Sequence, residues 1–276
     1  MANATGEAKS GPLLLQFNRS VRLLFRGSAI SSDGGLLLHR ELDDALGLTD
    51  LATDLLVDHR TGKNGRHTFV GLLRQSIFSR LAGYEDVNDA DRLCRDPVMR
   101  QLVGGRAVKR GAASASAMGR FETATLTQAE NLAALADLSG HWIDAVHAKR
   151  PSKVIGLDMD SYESPVYGDQ EGAIWNGHFQ SKCLHPLFVF NQFGDLERCV
   201  LRPGNVHSAD GWKELLSPVL ARYSAKARHS IIRRRFRGDA AFAIPGLFDL
   251  LEAEGWDYAI RMKANPKLHE QVAFLT

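Results

Sequence analysis

One short stretch of the sequence, VIGLDMDS at 154–161, constrains the fold most, because a buried strand there ends in carboxylates. Its apolar residues, Ile155 and Leu157 among them, are typical of a strand, and strand alternation places Asp158 and Asp160 on one face. Two charged groups at the end of an apolar strand are costly to desolvate unless a cation meets them. The stretch therefore predicts a strand that ends at a binding site for a divalent metal ion.

A second strand also runs into an aspartate, because the segment SIIRRRFRGD at 230–239 ends at Asp239. The sequence between and after the two aspartates predicts the order β-β-β-α-β-α-β. The other predicted elements are strands at 185–190, 196–201 and 258–262 and helices at 208–223 and 243–254. This order is similar to that of a ribonuclease-H-like core without its closing helix, a fold that brings carboxylates on adjacent strands together.

Residues 30–150 predict an all-helical region, since no alternating strand pattern of any length interrupts them. The apolar spacing at 69–81 gives the clearest helix, and Asp96-Pro97 supplies a cap and a first-turn proline for a helix that ends at Gly104. Other helices are predicted to begin at a cap formed by Ser32 or Asp33, at Asp50, and at the capping box Thr127–Glu130.

The predicted fold class is α+β or α/β, with three parts along the chain. Residues 1–29 form a tail with a strand at 16–25, residues 30–150 a helical region, and residues 151–276 an incomplete mixed sheet with flanking helices, with Pro151 at the junction. The composition of the 276 residues, 44% hydrophobic and 24% charged, fits a soluble globular protein.

Composition also excludes several classes of protein. No apolar run approaches the ~18 residues that a membrane span needs, so we expect a cytoplasmic protein without a membrane partner. The cysteines fit neither a zinc spacing nor a disulfide framework; they are Cys94, Cys183 and Cys199.

Positive charge is concentrated in two segments although the net charge is only +2. The segment 226–237 has no acidic residue, and its basic residues are Lys226, Arg228, Arg233, Arg234, Arg235 and Arg237. They could contact successive phosphates along a path that leads to Asp239. Alternatively, they could be solvated charges that prevent an exposed strand edge from pairing with other chains. In the second segment, 104–116, Arg106, Lys109 and Arg110 could contact phosphates, or the segment could be a plain connector.

Six motifs, taken in this order, resemble the DDE transposases of bacterial insertion sequences over about residues 17–268. They are SSDGG at 31–35, LAGYED at 81–86, LDMDS at 157–161, DQEG at 169–172 with Asn176-Gly177, LRPGNVHSAD at 201–210, and RGD at 237–239. Each motif is weak when taken alone. The resemblance therefore depends on all of them in sequence.

The resemblance implies a reaction and a site. Asp160 and Asp239 would be catalytic carboxylates that bind Mg²⁺, or Mn²⁺, in a two-metal site, and Asp158 could take the place of Asp160 as the first ligand. The substrate would be double-stranded DNA, at transposon inverted repeats and at a target, bound by a homodimer at the nucleoid. Residues 30–150 would bind DNA, and Arg261 and Lys263 would contact donor DNA.

The sequence departs from the family at the third carboxylate, a glutamate on a helix beyond the last core strand. Glu270 is present, but the pattern around it does not match. We therefore expect a truncated transposase whose activity is impaired. The alternative is a non-catalytic DNA-binding fragment that competes with intact transposase.

The segment 162–180 is predicted to be a long loop that folds over the site with Glu171, Asn176 and His178. Trp175 within it is expected to be buried by packing, although it could instead stack on a flipped base. His207, near a predicted helix cap, is expected to make local hydrogen bonds, although it could also approach the metal site.

Overall fold

A computed structural model of the chain describes residues 13–23, 33–61, 65–224, 231–263 and 265–273. The chain forms two compact units, which divide between Leu138 and Ser139. The division lies within a long helix and not at Pro151, because the C-terminal half of that helix belongs to the second unit. No helix in the described residues is long and apolar enough to cross a membrane.

The first unit is helical after a short hairpin, as the sequence predicts. Its helices are α1 (Leu36–Leu46), α2 (Leu48–Leu55), α3 (Phe69–Leu81), α4 (Ala90–Leu93), α5 (Pro97–Val103), α6 (Ala107–Arg110), α7 (Ala115–Arg120) and the first part of α8 (Ala129–Lys149). Helix α3 has the predicted bounds. Apolar residues of these helices form two buried clusters, one around Leu102 and one around Leu72.

The prediction of a single strand at 16–25 is wrong, because the chain turns within these residues. Two short antiparallel strands form instead, β1 (Leu13–Leu14) and β2 (Arg22–Leu23). The side chain of Asn18 accepts a hydrogen bond from the backbone N–H of Ser20 at 3.1 Å, which stabilises the turn. Phe25, the last apolar residue of the predicted strand, lies outside the described residues.

Some predicted helix caps form and others do not. The Asp96 carboxylate accepts a hydrogen bond from the Met99 N–H at 2.8 Å. The prediction of a capping box before α8 is wrong, because the Thr127 hydroxyl bonds back to the Thr123 carbonyl at 2.7 Å and the Glu130 carboxylate bonds His59 and not the Thr127 N–H. Of the proposed caps before α1, Ser32 lies outside the described residues.

The basic segment 104–116 is folded against the rest of the first unit, so it is more than a plain connector. The buried side-chain amide of Gln75 donates to the Ala113 carbonyl and accepts from the Ala113 N–H, both at 2.7 Å. Helix α6 lies within the segment and exposes Lys109 and Arg110.

The second unit contains a five-stranded mixed sheet and a small three-stranded sheet. Its strands are β3 (Val154–Ser161), β4 (Ser164–Pro165), β5 (Ile174–Asn176), β6 (Ser181–Leu184), β7 (Leu187–Asn191), β8 (Leu196–Val200), β9 (Arg233–Gly238) and β10 (Asp257–Ile260). The large sheet has the order β10-β9-β3-β7-β8, in which β3, β9 and β10 are parallel and the β7–β8 hairpin is antiparallel. This is the predicted ribonuclease-H-like arrangement.

One face of the large sheet carries the core of the second unit. Ile155, Leu157 and Met159 on β3 are buried there, because alternate residues of a strand point to the same face. The helices of the second unit are α9 (Trp212–Arg222), α10 (Pro245–Ala253) and α11 (Pro266–Val272), and buried residues of α9 and α10 pack on this face. Asp158 and Asp160 therefore lie on the opposite face, as predicted.

The prediction of a long loop at 162–180 is partly wrong, because β4 and β5 lie within these residues. Both pair with β6 in the order β4-β6-β5, and we call this three-stranded sheet the arm. Strands of two and three residues are too short to show the alternation by which strands are recognised.

A buried ion pair joins α8, α9 and β8 within the second unit. The Glu197 carboxylate, 1% exposed, accepts hydrogen bonds from Arg222 Nη2 at 2.7 Å, from the Tyr223 hydroxyl at 2.7 Å and from Asn191 Nδ2 at 2.9 Å. Arg222 also contacts Asp144 of α8 at 3.3 Å. These contacts satisfy a charge that would be costly to bury alone.

Candidate active site

The register of two parallel strands brings the predicted aspartates together. Met159 of β3 pairs with Gly238 of β9. The next residue in each segment is an aspartate, so Asp160 near the end of β3 and Asp239 directly after β9 lie side by side. The carboxyl ends of parallel strands meet at one edge of the sheet, which is where ligands bind in open sheets of this kind. Both aspartates are accessible to solvent, and the carboxyl group of Asp160 is also partly shielded by its surroundings.

Backbone amides orient the two carboxylates. Oδ1 of Asp160 accepts a hydrogen bond from the Ser161 N–H at 2.8 Å. Oδ1 of Asp239 accepts one from the Ala241 N–H at 2.9 Å, in the short turn Ala240–Phe242 before α10. The second oxygen of each carboxylate accepts no hydrogen bond from the described residues, and is available to a cation.

The electrostatics of Asp160 also indicate a place for a cation. Partial burial raises the pKa of Asp160, and the negative charge of Asp239 raises it further, against the lowering effect of the Ser161 N–H. Two carboxylates that disfavour each other's charge are stabilised together by a shared positive ion.

Asp158 is in a different state, because it already has a cationic partner. Nε and Nη2 of Arg237 donate to its two carboxylate oxygens, each at 2.5 Å. The two residues are paired across β3 and β9, and the bridge raises the pKa of Arg237. Of the two alternatives for the first metal ligand, this bidentate bridge favours Asp160.

The basic residues of β9 do not form one surface. Arg233 and Arg235 are exposed on the same sheet face as Asp158, whereas Arg237 is engaged with that carboxylate. Arg234 is turned to the other face, where its Nε donates to the Tyr223 carbonyl at 2.5 Å. The prediction that Arg234 joins a phosphate track is therefore not supported by its position, since strand alternation turns every second side chain inward. Lys226 and Arg228 lie outside the described residues.

A cavity of about 620 Å³ lies beside Asp239. Its walls come from the arm, from the loop 205–208 and from the segment after β10, and they include Asn176, His178, His207 and Lys263. The predicted loop residues Asn176 and His178 are thus near the site, while Glu171 is exposed and is not among the lining residues. His207 also makes the local contact expected of it, because its Nδ1 accepts a hydrogen bond from the Ala209 N–H at 3.1 Å.

Trp175 is exposed at the rim of this cavity, so the expectation that packing buries it is wrong. Its side chain is 61% exposed. It lies on β5, and the short arm has too few residues to cover both of its faces.

Buried polar side chains fix the walls of the cavity. Oδ1 of Asn176 accepts hydrogen bonds from the N–H groups of His178 and Phe179, and its Nδ2 donates to the Gly204 carbonyl at 2.5 Å. The guanidinium of Arg202, which is 7% exposed, donates to the carbonyls of His185 and Ser208 at 2.8 and 3.1 Å. This role of Arg202 could not be predicted from the motif at 201–210, because it depends on contacts between separate segments.

A third metal ligand is not evident in the part of the chain that the structure describes. No group of three or more His, Cys, Asp or Glu side chains there is placed to hold a metal ion. Glu270 is exposed on α11.

The remaining predicted DNA contacts lie on exposed surfaces. Arg261 and Lys263 follow the end of β10 and are exposed, and Lys263 lines the cavity beside Asp239. Arg106, Lys109 and Arg110 are exposed at helix α6 of the first unit.

The mixed sheet and its paired strand-end aspartates define a protein of the ribonuclease-H-like class. Residues 14–276 match the family model described as transposase DDE domain group 1. The chain therefore belongs to the DDE transposase family, whose members are nuclease-like enzymes that generally depend on a divalent metal.

Two solved structures are among those similar to this chain. One is a piggyBac transposase synaptic complex with hairpin DNA (14% identity, TM-score 0.35, 85% of this chain and 53% of that chain). The other is a Mos1 transposase paired-end complex with a left transposon end (12% identity, TM-score 0.26, 90% of this chain and 74% of that chain). The chain thus spans about half the length of the piggyBac chain. Comparison with curated proteins found no similar sequence.

Proposed function

We propose that this chain is a transposase of a bacterial insertion sequence, which cleaves and joins DNA at transposon ends. The observation that carries the proposal is the side-by-side exit of Asp160 and Asp239 from adjacent parallel strands. The substrate is double-stranded DNA, and the chemistry is phosphodiester cleavage followed by strand transfer. A homodimer that pairs two ends, acting at the nucleoid in the cytoplasm, belongs to the same proposal.

The donor set at this edge of the sheet fits Mg²⁺ or Mn²⁺. Asp160 and Asp239 each offer a carboxylate oxygen that accepts no hydrogen bond from the described residues, and oxygen is the ligand atom that Mg²⁺ prefers. When bound, the ions supply charge neutralisation at the phosphate and activation of the attacking oxygen. The role of the chain's own residues is to orient: the N–H groups of Ser161 and Ala241 hold the two carboxylates in place.

Asp158 and Arg237 have a supporting role in this proposal. Their bidentate bridge ties β3 to β9 directly before the two aspartates. A bidentate pair fixes geometry as well as adding energy.

Basic residues near the site would bind the DNA backbone. We assign this role to Arg233, Arg235, Arg261 and Lys263, which are exposed in the second unit. Lys263 and Asp239 line the same cavity, so a phosphate held by Lys263 would lie near the proposed metal ligands.

The proposal is tested by nicking of a supercoiled plasmid that carries the transposon ends, with Mg²⁺ or Mn²⁺. Asp160→Asn and Asp239→Asn should each reduce the nicking rate by at least about a hundredfold, since each removes a charged ligand. Asp257→Asn, at an exposed aspartate of β10, is the matched control and should keep the wild-type rate. Equal rates for Asp160→Asn and this control would contradict the assignment.

A second function, DNA binding without cleavage, is favoured by one observation. The described residues contain no group of three metal-binding side chains, and a two-metal site with a missing ligand should lose most of its rate. The chain would then compete with an active transposase for transposon ends. Salt-sensitive, sequence-preferring binding in gel-shift titrations, with no nicking in either metal, would support this function over the first.

A further inference from the structure

Two basic segments that are distant in sequence meet around a small cavity in the first unit. The cavity, of about 230 Å³, is lined by the residues before and along the first turns of α3 and by the end of α5 with the turn that follows it. Arg66 comes from the segment before α3, and Arg106 comes from the turn after α5. Arg66 Nη2 donates to the Arg110 carbonyl at 2.8 Å. The contact joins the two segments at the cavity.

The charge around this cavity is positive. None of its lining residues is acidic, and the sequence has no Asp or Glu in 59–84 or in 97–121. Partial burial lowers the pKa of His67, and the positive charges of Arg66 and Arg60 lower it further. Arg74 contributes less, because Asp43 and Asp44 lie 3.5 and 3.7 Å from its guanidinium.

The backbone at the cavity is open to close approach. Gly104 and Gly105 line it with φ values of 75° and 54°, in the region that favours glycine. A Cβ at Gly105 would meet no atom of the described residues within 4 Å, so none of them covers the backbone there. Glycine in such a position commonly marks a site where a ligand approaches the backbone.

We propose that this cavity binds a phosphate of a DNA backbone, held by the guanidinium groups of Arg66 and Arg106. Its volume is below the about 300 Å³ at which organic-ligand pockets begin, which favours a small anionic group over a cofactor. Lys109 and Arg110, exposed at the end of α6, extend the positive surface to neighbouring phosphates. The inference rests on the proposed function only in taking DNA as the molecule bound.

The test is the binding of a fluorescein-labelled 30-base-pair duplex to the full chain in EDTA, followed by anisotropy between about 50 and 200 mM NaCl. The double variant Arg66→Gln/Arg106→Gln should bind about tenfold more weakly at the lowest salt. The slope of log K against log[salt] should also become shallower by about 0.9, because the variant loses the neutralisation of one phosphate. Both arginines are exposed, so the variant should fold, which its thermal unfolding curve checks.

The matched control is Arg19→Gln, at an exposed arginine outside the cavity, which should keep both the affinity and the slope. The site is refuted if the double variant keeps the wild-type slope or changes no more than this control. Because the assay contains no metal, its outcome is separate from that of the nicking assay. A protein that binds through Arg66 and Arg106 but never nicks would refute the catalytic proposal alone.

Discussion

Single carboxylates of the second unit differ in their bonding partners, and these partners separate structural roles from the proposed catalytic one. Glu197 is buried and fully engaged by Arg222 and its neighbours, and Asp158 is bridged by Arg237. Asp160 has one oxygen held by a backbone amide and a pKa raised by burial and by a like charge. Asp160 and Asp239 are neighbouring carboxylates with no cationic partner among the described residues, which is the arrangement expected of metal ligands.

Asp158→Asn should therefore show whether Asp158 stabilises the pairing of β3 with β9 or binds the metal ion. The change removes the ionic part of an exposed bridge, so the free energy of unfolding should fall by at most about 1 kcal/mol. The affinity for Mn²⁺, measured by isothermal titration calorimetry, should stay within about threefold of wild type, whereas Asp160→Asn should lower it at least about tenfold. Loss of Mn²⁺ binding in Asp158→Asn would make Asp158 the first ligand.

Glu197→Ala should strongly destabilise the second unit. The change leaves the largely buried Arg222 side chain, which is 19% exposed, without its closest carboxylate, which lowers the free energy of unfolding by about 3–5 kcal/mol. Urea denaturation followed by circular dichroism measures the effect. Glu214→Ala, at an exposed residue of α9, is the control and should change stability by less than about 0.5 kcal/mol. Similar losses for both variants would contradict the role given to the buried pair.

Among the elements, the arm depends most on one glycine. Gly204 lies against the backbone of two arm strands, where an added Cβ would collide with the carbonyl oxygens of Cys183 and Ile174. These are backbone atoms of β6 and β5, so neither can move aside as a flexible side chain would. The loop after Gly204 carries His207 to the cavity beside Asp239.

Gly204→Ala should push the loop 205–208 away from the arm and reduce DNA nicking, with little change in the core of the sheet. Gly177→Ala is the matched control, because Gly177 lines the same cavity and an added Cβ there meets no atom within 4 Å. Nicking rates and the near-ultraviolet circular dichroism of the two variants should differ. If Gly204→Ala keeps the wild-type rate and spectrum, the close approach is not required.

The elements also show which parts of the fold are readable from sequence. Helix α3 and strand β3 have the predicted bounds because their apolar residues recur at one period over a long enough run. The arm strands β4 and β5 are too short for such a signal. Asp160 and Asp239 could be identified from strand ends, but the bridge between Asp158 and Arg237 requires the register of two strands, which no local pattern provides.

For the whole molecule, the boundary between the two units is the feature that sequence did not reveal. Proline before a strand suggested Pro151, but the C-terminal half of α8 packs within the second unit. The Ser139 hydroxyl donates to the Glu197 carbonyl at 3.2 Å, and Asp144 contacts Arg222. A helix that continues across a domain boundary has no break in its apolar pattern, so the boundary leaves no signal.

Two fragments test this division. The fragment 127–276 keeps all of α8 and should unfold cooperatively. The fragment 151–276 lacks the contacts of Ser139 and Asp144 and the packing of His147 against Phe193 and Tyr223. We expect the second fragment to have a lower free energy of unfolding by at least about 2 kcal/mol, or to aggregate. Equal urea midpoints for the two fragments would show that the C-terminal half of α8 contributes nothing to this unit.

The bridge between Asp158 and Arg237 also acts against misalignment of β3 and β9. The bridge forms only when these two residues are directly opposite, and a slip by one residue would turn each side chain to the wrong face. The same slip would separate Asp160 from Asp239. A chain that has closed this bridge has therefore also aligned the two aspartates, so the strand register and the geometry of the candidate site are set together by the fold, before any metal or DNA is bound.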